Sequence, residues 1–97
     1  MMCGAPKPAT DADENVQAIC DKVRSEIEEK AGQKFGEYKA LKVMTQVVAG
    51  TNYFVKIHTG NDECAHARIF HPLPGQGEPS LHSVQLKKTR EEELAYF

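Results

Sequence analysis

The apolar residues of this chain change their period once, close to Gly32. Before that glycine, residues 13–31 carry apolar side chains three and four positions apart, and charged residues occupy the intervening positions. This spacing predicts an amphipathic helix. Thr10, Asp11 and the acidic residues that follow them suit a helix start, and Gly32 suits its C-terminal cap. The predicted apolar stripe consists of Val16, Ile19, Cys20, Val23 and Ile27.

After Gly36 the apolar residues alternate with polar ones, which is the period of β-strands. Four stretches show this alternation, at residues 38–47, 52–59, 64–70 and 81–87. A change of parity between Ala40 and Leu41 predicts a β-bulge in the first of them. Phe54 lies on the polar parity of its strand, and residues 89–97 show no clear period. The pattern predicts an α+β fold, with one long amphipathic helix packed on one face of an antiparallel meander of four strands.

One folded domain over residues 1–97 agrees with the size and composition of the chain. A chain of 97 residues can bury one hydrophobic core, and 40% hydrophobic with 27% charged residues is ordinary for a globular protein. Residues 1–9 contain two prolines and no apolar period. We therefore expect them to form an extended N-terminal arm.

The charge distribution gives no basis for a nucleic-acid or membrane partner. The net charge is −2, and the basic run at residues 87–90 is followed directly by three glutamates. No stretch resembles a membrane span, and the N-terminus lacks the apolar centre of a signal peptide. The three cysteines are widely spaced and form no CxxC motif, which favours a reducing compartment. We expect a cytoplasmic protein, with an additional nuclear pool left open.

Cys64 and His66 are the residues that most resemble a nucleophile and its base. They lie two positions apart on one predicted strand and face the same side, but no third orienting group or oxyanion site accompanies them. His58 and His66 could approach each other across adjacent strands, and we expect both to face solvent. Two imidazoles do not complete a zinc site. The sequence therefore predicts no enzyme activity, no metal site and no cofactor.

A pentapeptide marks the turn between the first two long strands. Residues 46–50 read Gln46-Val47-Val48-Ala49-Gly50, and residues 51–54 continue as Thr-Asn-Tyr-Phe. The pentapeptide matches the Gln-x-Val-x-Gly hallmark of the cystatins, and its continuation resembles the stefins, the cystatin branch without a signal peptide or disulfides. The resemblance covers the whole chain, from residues 1–6 through the helix to Leu73-Pro74 and the ending at residues 92–97.

The resemblance to the stefins implies both a fold and an activity. The implied fold is cystatin-like, with part of the N-terminal arm as a fifth strand in a sheet wrapped around the helix. The implied activity is reversible, tight-binding inhibition of papain-like cysteine proteases, the intracellular cathepsins, by a three-part wedge that blocks the active-site cleft. Matching positions assign to this wedge Gly4, Gln46, Val47, Val48, Ala49, Gly50, Leu73 and Pro74.

The residue types of the pentapeptide suit such a wedge. Val47 and Val48 have few rotamers to lose on binding, and two strands already order the hairpin tip that carries them. Gly50 permits positive φ and lets the backbone approach a partner closely. An inhibitor of this kind needs a rigid, complementary surface and no catalytic residue.

Alternatives to a monomeric inhibitor stay open. The chain around Leu73 and Pro74, residues 71–77, is richer in proline and glycine than we expect for a stefin, so a cystatin-fold interaction module without inhibitory activity is the alternative function. We expect a monomer, with two routes to a dimer. Cys3 in the arm is expected to be exposed, so it could form a disulfide-linked dimer or act as a redox switch. Val47 and Val48 could act as a strained hinge for domain swapping.

Overall fold

The computed structural model describes residues 9–97, which form two helices and a five-stranded antiparallel sheet. The strands lie side by side in chain order. The predicted α+β fold is confirmed. The elements are β1 (Thr10–Asp11), α1 (Glu14–Lys22), α2 (Arg24–Ala31), β2 (Lys39–Val48), β3 (Gly50–Gly60), β4 (Glu63–His71) and β5 (Ser80–Thr89).

The helical segment is capped at both ends and interrupted once. The Asp13 carboxylate caps the start, where its Oδ1 accepts a hydrogen bond from the Val16 N–H at 3.0 Å. Val23 has φ −106° and ψ 9°, so the chain forms two consecutive helices instead of one. The second ends at Gly32, which adopts the left-handed conformation with φ 72°, as predicted. Within residues 9–97, no helix has the length and apolar character to cross a membrane.

Thr10 and Asp11 form the edge strand β1 and not the start of the helix, to which their polarity assigned them. They pair with Val43 and Lys42 of β2, and the Asp11 carboxylate forms an ion pair with the Lys42 ammonium. The fifth strand implied by the stefin resemblance therefore lies directly after residues 1–9. Both β1 residues are exposed, and two residues are too few to show an alternating pattern.

The two helices pack across one side of the sheet, which we call the helix face. The helical residues Cys20, Val23 and Ile27 are completely buried there. Removing these apolar side chains from water is the main force that holds the helices to the sheet. The buried core on this face comprises Val16, Cys20, Val23, Ile27, Phe35, Ala40, Val43, Val55, Ile57, Ala67 and Ile69.

The predicted bulge near Ala40 and Leu41 is confirmed. Ala40 pairs with Ile57, and Lys42 pairs with Lys56, so Leu41 is the additional residue in β2. The extra residue reverses the parity of the strand. Alternating residues beyond the bulge can therefore still reach the helix face.

The opposite side of the sheet, which we call the second face, is covered by the C-terminal segment, residues 90–97. Leu94, Tyr96 and Phe97 pack around Phe54. The Phe54 ring centroid lies 4.8 Å from that of Tyr96 and 5.6 Å from that of Phe97. Phe54 is on the side of β3 that otherwise carries polar residues. An apolar residue fits there because this side of the strand is also buried. The segment contains no helix or strand, so it has no period that could predict its position.

Three long-range hydrogen bonds join the C-terminal segment to the sheet. Each connects residues that are far apart in the sequence, so none could be inferred from local spacing. They run from Lys56 Nζ to the Arg90 carbonyl at 2.8 Å, from Arg68 Nη1 to the Phe97 carbonyl at 2.8 Å, and from the Tyr96 hydroxyl to the Thr45 carbonyl at 2.9 Å.

His66 is buried on the second face, so the prediction that it faces solvent is wrong. It is 2% exposed and pairs across the ladder with Lys56. Its Nε2 has no hydrogen-bond partner among the described residues. Burial, followed by the positive charges of Lys56 and Lys88, lowers the pKa of His66 to about 4, and Glu92 opposes this shift. The imidazole of the folded protein is therefore neutral near pH 7.

We expect the stability that His66 contributes to fall by about 2 kcal/mol between pH 6.5 and pH 5. In the unfolded chain this histidine gains a proton near its ordinary pKa of 6.5, whereas in the folded protein it stays neutral down to about pH 4. The unfolded state therefore binds more protons in this window. The contribution is complete above pH 6.5 and is lost as the pH falls. Urea unfolding at pH 7, 6 and 5 measures the loss.

His66→Gln should lose less stability over this pH range because its side chain does not titrate. His82→Gln, which replaces an exposed histidine on β5 by the same residue, is the matched control. The same pH dependence in His66→Gln and the wild type would contradict the assignment.

Candidate functional site

Strands β2 and β3 meet in a tight hairpin whose tip is the pentapeptide, residues 46–50. Val48 pairs with Gly50, so Ala49 alone joins the two strands. Val47 is 73% exposed and Val48 is 46% exposed. Two adjacent apolar side chains exposed at the end of an ordered hairpin are typical of a surface that contacts a partner. We call residues 46–50 the first loop.

Gln46 orders the base of the first loop from within the hairpin. Its Oε1 accepts a hydrogen bond from Asn52 Nδ2 at 3.1 Å, and the two residues also pair across the ladder. Asn52 is buried, so this bond is partly shielded from water. This bond ties the two strands of the hairpin together directly below the tip.

Gly50 packs against the neighbouring strand β4. Its φ of 123° lies in the range that favours glycine. A Cβ at this position would lie 2.7 Å from the His71 carbonyl oxygen and 2.9 Å from two ring carbons of Phe70. Glycine at this position therefore permits close packing between β3 and β4 within the protein. The sequence had suggested only that it permits close approach to a partner.

The second loop, residues 72–79, connects β4 to β5 at the same end of the sheet as the first loop. His71, the last residue of β4, pairs with Thr51, which directly follows the first loop. Leu73 is 51% exposed, and Pro74 is also exposed. The structure therefore brings the predicted residues of both loops to one edge of the molecule.

Few tertiary contacts hold the second loop. The Gln76 N–H donates a hydrogen bond to the Leu73 carbonyl at 2.9 Å, which closes a turn at the tip. Glu78 Oε1 lies 3.0 Å from Lys22 Nζ of α1, but both side chains are largely exposed. Such a surface ion pair contributes about 0–1 kcal/mol. The conformation of this loop therefore depends mainly on its own backbone and on its junction with β4.

The direction of β1 relates the N-terminal arm to this edge. Thr10 pairs with Val43 and Asp11 with Lys42, so β1 runs away from the end of the sheet that carries the two loops. The predicted site residue Gly4 and the predicted redox residue Cys3 precede β1 and lie outside the described residues.

The C-terminal segment supports the first loop from behind, which the sequence did not predict. The Tyr96 hydroxyl donates a hydrogen bond to the carbonyl of Thr45, the residue directly before Gln46. Met44, one position earlier, is buried in the same cluster as Phe54. The apolar residue Phe54 on a polar parity was the only sequence signal of this support.

Comparison with known proteins places this arrangement in a family. A family model for the cystatin domain matches residues 4–91. The chain belongs to the cystatin family. Its sequence is 46% identical to cystatin-B of Mus musculus, and 47% identical to cystatin-B of Pan troglodytes and of Ovis aries, with 100% of both chains covered in each comparison. This cystatin is a type 1 member, a stefin similar to cystatin B, as its motifs predicted.

Cystatins are a family of cysteine protease inhibitors and not enzymes, and the Cys64 environment of this cystatin agrees with that membership. Cys64 is 1% exposed, and burial raises the pKa of its thiol, which disfavours the nucleophilic thiolate. Cys20 is fully buried, as predicted for a core residue, and burial raises the pKa of its thiol to about 12.

The histidines of this cystatin are not arranged to share a ligand. His58 pairs across the ladder with Cys64 and not with His66. Its Nδ1 lies 2.9 Å from the Glu37 carboxylate, and its side chain is only 16% exposed, so the prediction that it faces solvent is also wrong. Within residues 9–97, no cluster of three or more His, Cys, Asp and Glu residues could hold a metal ion.

Replacing Gly50 by Ala should destabilise this cystatin more than replacing Gly60. Both glycines have positive φ, 123° and 113°, so both variants carry a similar backbone strain. Only at position 50 does the added Cβ meet other atoms at less than 3.0 Å, whereas none lies within 4 Å at position 60. The difference in the free energy of unfolding should be about 1–3 kcal/mol. Urea unfolding of both variants measures it, and equal destabilisation would contradict the packing role of Gly50.

Proposed function

We propose that this cystatin is a reversible, tight-binding inhibitor of papain-like cysteine proteases of the cathepsin type, and that it blocks their active-site cleft. The proposed wedge consists of Gly4, the first loop (Gln46, Val47, Val48, Ala49 and Gly50) and Leu73-Pro74 of the second loop. The observation that carries this proposal is the exposure of apolar side chains on two adjacent loops at one end of a rigid sheet.

The distribution of exposed apolar residues supports this edge as the contact surface. Four large hydrophobic side chains are exposed within residues 9–97. Three of them, Val47, Val48 and Leu73, lie on the two loops, and the fourth, Leu86, lies on β5. An apolar projection of this kind is complementary to a protease cleft, which is concave and largely apolar.

The order of the first loop favours tight binding. The Gln46 and Asn52 side chains are joined by a hydrogen bond, Gly50 packs closely against β4, and Tyr96 holds the strand at Thr45. A surface that is ordered before it binds loses less conformational entropy on association. Loop rigidity therefore leaves more of the contact energy available as affinity.

The chemistry of the loop residues favours reversible inhibition. Val47, Val48, Leu73 and Pro74 carry no nucleophilic or electrophilic side chain, so they offer no group for a covalent bond with a catalytic thiolate. Binding would rest on burial of apolar area. Together with the arm, the two loops could approach the roughly 800 Å² per partner that is common for protease–inhibitor pairs.

Titration of active papain with the purified monomer tests the proposal. We expect stoichiometric loss of protease activity at nanomolar concentrations and recovery of activity on dilution. The monomer is isolated first by size exclusion under reducing conditions, because strand exchange at Val47-Val48 or a disulfide at Cys3 would change the inhibitor under test. No inhibition by folded monomer at micromolar concentration would contradict the proposal.

Val47→Glu and Leu73→Glu should each weaken inhibition at least about 30-fold, because each would place a charge in a buried apolar contact. Both residues are mostly exposed in the free protein, so the unfolding midpoint should change little. Leu86→Glu is the matched control, since Leu86 is an exposed leucine away from the two loops. Equal inhibition constants for all three variants and the wild type would contradict the loop assignment.

Gly4→Arg should weaken inhibition of papain by at least about tenfold, because a long side chain would obstruct close contact of the arm with the cleft. The match to the cystatin family model begins at residue 4. Strand β1 runs away from the edge that carries the two loops, so the chain enters β1 from the side of that edge. Both observations support a role for the arm. Lys7→Arg is the control, as it changes an arm residue without adding charge. An unchanged inhibition constant for Gly4→Arg would remove the arm from the wedge.

The second loop supports one other function, a cystatin-fold interaction module without inhibitory activity. Residues 71–77 contain two prolines and two glycines, and few contacts hold the loop to the rest of the fold. If the conformation of this loop did not fit a protease cleft, inhibition would be lost although the protein would stay folded. Absence of inhibition by folded wild-type monomer is the result that would favour this function.

A further inference from the structure

We propose that His71 is a positioning residue that locks the second loop to the first, so that Leu73-Pro74 and the pentapeptide enter a protease cleft as one rigid unit. This inference rests on the proposed inhibitory function and names a residue outside the proposed wedge. Three separate contacts of His71 carry it, one through its backbone and two through its ring.

The backbone of His71 contacts the first loop directly. His71 ends β4 and pairs with Thr51 of β3. Its carbonyl oxygen lies 2.7 Å from the position that a Cβ on Gly50 would occupy. The same residue therefore ends the strand before the second loop and packs against the end of the first.

The imidazole ring of His71 contacts the stem of the first hairpin. Its centroid lies 6.3 Å from the Tyr53 ring centroid, at an interplanar angle of 61°. This is an edge-to-face arrangement, which aromatic rings favour. Tyr53 lies on β3, three residues after Gly50, so the ring of His71 touches the strand that supports the pentapeptide.

The same ring also holds the start of the second loop. His71 Nδ1 lies 2.8 Å from the Pro72 carbonyl oxygen. A carbonyl oxygen can only accept a hydrogen bond, so Nδ1 must carry the hydrogen. Pro72 has its φ restricted by its own ring, and fixing its carbonyl leaves little freedom in the direction in which the chain continues to Leu73.

The second loop has few other contacts that could fix the direction of the chain at Leu73. Its tip is closed by its own turn, and its ion pair from Glu78 to Lys22 is exposed. If the ring of His71 were removed, the orientation of Leu73 relative to the backbone of the first loop would have to be selected at the moment of binding. That ordering would reduce affinity.

A double-mutant cycle with papain tests this inference. We expect His71→Ala to raise the inhibition constant about tenfold, the combined effect of one hydrogen bond and one aromatic contact. In a Leu73→Ala background the same change should have less than about a threefold effect, because the side chain that His71 positions is absent. In a Val47→Ala background the full tenfold effect should remain.

Conservative variants separate the two ring contacts. His71→Asn keeps a donor for the Pro72 carbonyl and should recover most of the affinity, whereas His71→Phe keeps the contact with Tyr53 and loses the donor. His82→Ala is the matched control, because His82 Nδ1 also lies within hydrogen-bond distance of the next residue, 3.1 Å from Ser83 Oγ, but on exposed β5. Its inhibition constant should equal that of the wild type.

The ¹⁵N relaxation of the free protein provides a readout that does not depend on a protease. We expect the Leu73 and Gly75 amides to become more mobile on the nanosecond timescale in His71→Ala, and to stay as in the wild type in His82→Ala. Unchanged relaxation at these amides would overturn the inference. Equal effects of His71→Ala in the Leu73→Ala and Val47→Ala backgrounds would also overturn it, since they would indicate a general structural role.

The two proposals fail in different ways. If wild-type monomer does not inhibit papain, the proposed function fails, and the relaxation data still decide whether His71 orders the loop. If the wild type inhibits and His71→Ala inhibits equally well, only the positioning role fails.

Discussion

The fold depends on the burial of one helical stripe against one face of the sheet. Cys20, Val23 and Ile27 are completely buried, and the strand residues they cover lie near the middle of the sheet. Because apolar burial is the largest favourable term in folding, this contact determines which face of each strand turns inward. It also leaves the hairpin tips outside the core, where their side chains are free to contact another molecule.

The second face of the sheet is the less expected part of the structure. The C-terminal segment has no regular secondary structure, yet its aromatic residues bury Phe54, and two of the three long-range hydrogen bonds that join it to the sheet come from long cationic side chains. Lys56 and Arg68 donate hydrogen bonds to backbone carbonyls of the segment, and the Arg68 guanidinium carbon lies 5.6 Å from the Phe54 ring centroid. This layer leaves His66 buried and neutral. It also supports the first hairpin at Thr45, directly below the pentapeptide.

The two loops at one edge are both exposed, and they are also joined to each other through His71. Gly50 is packed so closely against His71 that a methyl group would not fit, and His71 in turn holds the start of the second loop. Apolar tips on a preordered frame suit a family of protease inhibitors, because a rigid surface that excludes water needs no chemistry of its own. The second loop has few contacts beyond this junction. Its position is therefore more sensitive to single substitutions than that of the first loop.

The sequence by itself determined the helical segment, the four long strands, the bulge at Leu41, the Gly32 cap and the family motif at residues 46–50. Each of these is a local pattern, since the helical and strand periods repeat within a few residues. Only the tertiary structure decided the edge strand at Thr10, the burial of His66, the packing of Phe54 under the C-terminal segment and the contact between Gly50 and His71. These features join residues distant in the chain, or elements too short or too irregular to have a period. Their positions depend on which segments cover each face of the sheet, and the spacing of residues within one segment does not predict this.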